Sequence, residues 1–75
     1  MDINIDVVKK NLEDVSGNKV DYGNCKDIHA FGFPRQALVG ENHENVRNVI
    51  TENGLKIKGE YMSTQNGFIY INATV

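Results

Sequence analysis

The chain has 75 residues, a net charge of −2 and a single cysteine, Cys25. That length makes one domain over residues 1–75, near the lower limit for independent folding, where roughly 60% of the unfolded surface is buried. Eight basic and ten acidic residues lie scattered along the chain, which argues against strong non-specific polyanion binding, since phosphate neutralisation needs clustered Lys and Arg.

Ile5, Val8, Leu12 and Val15 recur at spacings of three and four, the apolar stripe of an amphipathic helix. Asp2 or Asn4 can cap its start, and Gly17 supplies the left-handed residue beyond its end. Lys19 to Tyr22 has strand character, and Tyr22-Gly23-Asn24 reads as a turn. Asp27 to Phe33 alternates in the manner of a strand, and the only proline, Pro34, ends it. Gln36 to Val39 reads either as a short strand or as the lead-in to a helix. A second helix is predicted from about His43 to Asn53, with Asn42 as N-cap, Gly54 closing it, and Val46, Val49 and Ile50 facing inward.

Leu55 to Val75 carries two β-prone runs broken by Asn66-Gly67, a hairpin signal. Parity chooses among the possible loops. A two-residue loop sets Met62 opposite Ile71 and mixes the faces. A three-residue loop, Gln65-Asn66-Gly67, pairs Tyr61 with Ile71 and Ile57 with Val75, so that the apolar residues of both strands share a side. The predicted fold is therefore α+β: a two-layer sandwich of order α-β-β-α-β-β, two helices on one face of a small antiparallel sheet, ending in this hairpin. The order resembles two copies of a helix-plus-hairpin unit, although little beyond Lys19-Val20 and Lys56-Ile57 matches when Gly17 and Gly54 are aligned.

No pattern for a cofactor or a catalytic group stands out. Cys25, Asp27 and His29 lie close in sequence, but Cys-x-x-x-His has no second ligand pair to complete a structural zinc site. The same Cys25 and His29, taken as nucleophile and base, bring no oxyanion device. Gly40-Glu41-Asn42, with Arg35 near, lacks a phosphate-binding pattern, and Glu41 repels an anion. The expectation is no enzyme, no metal and no cofactor.

The suggestive constellation is the hairpin's outward face, where Phe68 and Tyr70 lie beside Met62 and are bordered by Lys56 and Lys58. Aromatic residues and Met are enriched at protein interfaces. Aromatics beside lysines also stack bases and neutralise phosphates. If Phe68 to Val75 lies at the sheet margin, its free N–H and C=O groups offer pairing to another chain. These residues lead to a non-catalytic protein-interaction module (an inhibitor, adaptor or accessory protein) whose partner is another protein or a second copy of itself. The alternative is a single-stranded nucleic-acid binder. A lone cysteine favours a reducing cytoplasm. The first ten residues lack the character of a signal peptide. No apolar run approaches the roughly 20 residues that cross a bilayer, so no membrane partner is expected.

Overall fold

The computed structural model describes residues 3–75. They run α1 (Ile5–Ser16), β1 (Asp21–Cys25), β2 (Ile28–Pro34), α2 (Glu41–Glu52), β3 (Lys56–Met62) and β4 (Phe68–Thr74). The strands form one antiparallel sheet in the order β1-β2-β4-β3, with the helices on one face, the α+β architecture expected from the sequence. The core joins Val8 and Leu12 of α1, Val46 and Ile50 of α2, and Phe31, Phe33, Ile71 and Ala73 from the sheet's inner side.

Helix α1 forms where its stripe predicts. Val8 and Leu12 are buried, while Ile5 and Val15 pack against the core from its margin. The Asn4 side chain accepts from the backbone N–H groups of Asp6 and Val7 at 3.1 and 3.3 Å, satisfying donors that the first turn leaves free; Asp2 lies outside the described residues. Helix α2 starts at Glu41 rather than after Asn42. Gly40 occupies the cap position at φ +57° and makes no side-chain capping bond. Glu41 and Glu44 instead place negative charge on the helix's positive end.

Between the helices the structure corrects the sequence reading. Tyr22-Gly23-Asn24 is not a turn but the middle of β1, and the chain reverses at Lys26-Asp27 instead. Lys26 takes φ +54° there, a conformation the residue type does not advertise. Gln36 to Val39 is neither strand nor helix lead-in: a short 3₁₀ turn, Arg35–Ala37, follows Pro34.

The hairpin register also differs. Ser63 N–H donates to the Phe68 carbonyl at 2.8 Å, and Gly67 N–H donates to the Ser63 carbonyl at 3.0 Å, so the loop is four residues, Thr64 to Gly67. Gly67 keeps the expected left-handed backbone at φ +74°. Tyr61 therefore pairs with Tyr70, Met62 with Ile69 and Glu60 with Ile71. A bulge between Ile57 and Gly59 restores the inward parity lower down, so Ile57 faces Ala73. Of the residues expected to face inward on the last strand, Ile71 and Ala73 are completely buried and Ile69 packs against the core, whereas Val75 lies beyond β4 and is 70% exposed. On β3, by contrast, Tyr61 lies outside, and Glu60 with Met62 on the helix side. β4 is also not a margin strand. It lies between β2 and β3, and the sheet's edges are β1 and β3.

The two helix-plus-hairpin units follow the same order along the chain. An offset of 36 residues carries α1 (5–16) onto α2 (41–52), and one of 40 carries β2 (28–34) onto β4 (68–74). β2 and β4 pair antiparallel with Phe31 opposite Ile71, residues separated by that same offset of 40, so a local two-fold passes through this pair.

Candidate functional site: the uncovered sheet face

Side chains alternate across the sheet, and the helices cover only the side that carries Phe31, Phe33, Ile71 and Ala73. The other side is crossed by two rows of directly opposed residues. One is Asp21, Gly32, Tyr70 and Tyr61; the next is Gly23, Ala30, Asn72 and Gly59. Gly23, Ala30 and Asn72 of the second row form the floor of a shallow groove bordered by Tyr61, Cys25 and Ile28.

Tyr70 organises this face. A Cβ at Gly32 would lie 2.5 Å from the Tyr70 ring, so the ring reaches across β2 only because residue 32 has no side chain. Its hydroxyl thereby reaches β1 and donates to Asp21 Oδ2 at 2.7 Å. It accepts from Asn66 Nδ2 of the hairpin loop at 3.1 Å. Donation to the Asp21 carboxylate stabilises the protonated phenol and holds its pKa above the ordinary tyrosine value. Tyr61 stacks on this fixed ring with centroids 5.4 Å apart and planes 17° from parallel, and Phe68 lies tilted at 6.5 Å. Such offset aromatic contacts hold all three rings in place before anything binds.

Of the residues singled out from sequence, Phe68, Tyr70 and Lys56 share this face, Lys56 at its margin opposite Thr74. Lys58 is the extra residue of the bulge at the β3 edge, and Met62, 53% exposed, sits on the helix side opposite Ile69. Tyr61, half exposed, completes the aromatic cluster, and sequence reasoning had assigned it inward. The available signal was Gly59, since a glycine within a strand often marks a bulge, and one bulge reverses every later side chain.

The structure separates Cys25 from His29. Cys25 ends β1 on the uncovered side, whereas His29, opposite Asn24 and Ala73, lies on the helix side. His29 Nδ1 is 2.6 Å from Tyr22 Oη and 3.3 Å from Asn24 Nδ2. Among the described residues, no group of three or more His, Cys, Asp or Glu side chains is placed to hold a metal ion, and no helix is long and apolar enough to cross a membrane. A separate cleft lined by Ile3, Val7, Val8, Asn53, Gly54 and Val75 is apolar but carries neither an aromatic nor a titratable side chain.

No family model, curated protein or solved structure was found to match this chain.

Proposed function

We propose that this protein is a small non-catalytic interaction module, an inhibitor, adaptor or accessory protein, that binds another protein through its uncovered sheet face. The Tyr61–Tyr70–Phe68 cluster supports the reading: three aromatic rings, already ordered against one another, on the side that neither helix covers. Ordering them beforehand lowers the side-chain entropy that association would otherwise cost. Tyrosine and phenylalanine are also the residues that dominate such contacts. A reducing cytoplasm suits the reading, since Cys25 is an exposed free thiol.

Charge favours a protein partner over a single-stranded nucleic acid. The Asp21 carboxylate lies in the same row as Tyr70, where it repels a phosphate backbone. Lys56 and Lys58 stand together only at the β3 margin, too few to release the counterions that drive polyanion binding.

The test is affinity purification from the native host with the wild-type chain and with Tyr61→Ala/Phe68→Ala, which leaves Tyr70 and its bonds intact. The double variant should lose the captured protein while its circular dichroism stays unchanged. Undiminished capture by the folded variant overturns the assignment. Salt-sensitive binding of mixed oligonucleotides that the same variant loses would transfer the site to nucleic acid.

A further inference from the structure

The sheet has two edges of opposite design. β3 is closed to pairing. It carries a bulge between Ile57 and Gly59, lysines at 56 and 58, and a Glu60 side chain bound by His43 and Arg47 of α2. These are the devices that keep edge strands from joining other chains. β1 has none of them: Asp21–Cys25 is a regular strand with no Lys, no Pro and no bulge. Its two-residue connection to β2 closes on the Cys25–Ile28 pair, so Cys25, Gly23 and Asp21 bond to β2. Alternation then aims the N–H and C=O groups of Tyr22 and Asn24 away from the sheet, and among the described residues no other backbone group meets them.

We infer that β1 pairs antiparallel with β1 of a second copy, about a two-fold axis at Gly23. This surface and this partner are independent of the interaction face proposed above. Of the axes available, this one joins both free residues at once: Tyr22 opposes the partner's Asn24 and Asn24 opposes the partner's Tyr22, giving four backbone hydrogen bonds. An axis at Tyr22 would require the Val20 N–H, which already donates to Glu13 Oε2 at 3.2 Å. An axis at Asn24 would draw in the Lys26 turn. At the Gly23 axis no like charges oppose. Asp21 meets the partner's Cys25, and the ladder ends there because Lys26 and Asp27 turn back into β2. Gly23 would face the partner's Gly23 at the closely spaced, non-hydrogen-bonded position of the ladder.

The assembly closes. The continuous sheet runs from one β3 to the other, and both new margins are guarded, so association stops at two copies instead of growing into a fibre. The row Gly23, Ala30, Asn72 and Gly59 also continues through the axis into the partner's copy, joining the two shallow grooves into one.

Light scattering across a concentration series, combined with crosslinking, tests the inference. The wild-type chain should approach twice its 8.4 kDa mass as concentration rises. Gly23→Cys in a Cys25→Ser background should oxidise to a disulfide-linked dimer, because closely spaced ladder pairs bring Cα atoms within disulfide range. A Cβ at Gly23 meets nothing within 4 Å, so the variant should fold. Asn24→Pro removes an outward N–H together with the side-chain bonds to the Lys26 and Ile28 carbonyls, and should give a monomer, whereas Asn24→Ala, which loses only those side-chain bonds, should remain a dimer. A wild-type chain that stays monomeric at the highest concentration overturns the inference. So does a dimer that resists both the Gly23 crosslink and the Asn24→Pro substitution in its folded state.

Discussion

The two helix-plus-hairpin halves of this protein share their order, their 12-residue helices and their seven-residue central strands, yet their outer strands differ. β1 is short and regular and reverses through two residues. β3 is longer, bulged and lysine-bearing, and reverses through four. The inner strands are constrained by each other and by both helices, so they keep the two-fold arrangement about Phe31 and Ile71. The outer strands answer to one neighbour only, which leaves their free sides available for different uses. Symmetry is retained where burial enforces it and lost where solvent permits.

The severest test of that comparison strikes the axis. Phe31 and Ile71 are both completely buried. Phe31→Ala should cost about 3–5 kcal/mol and Ile71→Ala about 2–5 kcal/mol, large fractions of the roughly 5–15 kcal/mol that stabilises a small domain. If the halves form one cooperative unit, urea unfolding of either variant, followed by circular dichroism and tyrosine fluorescence, gives a single coincident transition. Two separated transitions would mean that each half holds its own structure and that the shared core is not what joins them.

A smaller effect distinguishes the two glycines of the first hairpin. A Cβ at Gly32 collides with the Tyr70 ring, whereas one at Gly23 meets open space. Gly32→Ala should therefore cost about 1–3 kcal/mol, the range of overpacking, while Gly23→Ala should stay within about 0.5 kcal/mol of the parent. Gly32→Ala should also push the ring off Asp21, so its phenol should ionise at lower pH in a spectrophotometric titration, back toward the ordinary range. The sign follows from the raised pKa. The bond's stabilisation is fully present below the ordinary phenol value and is lost as pH rises through the folded one. An unchanged titration in Gly32→Ala would show that the ring does not depend on the missing side chain.

Much of this fold was legible because burial writes periodicity into sequence. The α1 stripe and the inward Ile71 and Ala73 follow from it, while Gly17, Gly54 and Gly67 take the left-handed backbone that helix ends and a tight loop require. What escaped was decided by single residues with weak local signatures. Lys26 at positive φ sets the turn at residues 26–27 instead of 22–24 and makes Tyr22-Gly23-Asn24 a strand. The bulge at Lys58 exchanged Tyr61 and Met62 between faces. The sequence therefore identified Phe68 and Tyr70 but put the wrong neighbour beside them. The bond from Tyr70 to Asp21 joins residues 49 positions apart, and no local pattern announces it. The placement of β4 inside the sheet likewise depends on which strands meet, a choice that hairpin signals leave open.

The smallest effect concerns the closed edge. Glu60 Oε1 lies 2.8 Å from His43 Nε2, and the same carboxylate binds Arg47. These groups sit at the surface, so Glu60→Gln should cost only about 0.2–1 kcal/mol at low ionic strength, with the loss vanishing as salt is added. Its effect on assembly is the more informative reading. If the bulge itself closes β3, the displaced ladder remains after the charge is removed, and light scattering should show no species larger than the parent's. If larger species form, charge rather than backbone geometry guards that margin. The contrast between the outer strands would then depend on one carboxylate, and a neutral β3 would offer pairing much as β1 does.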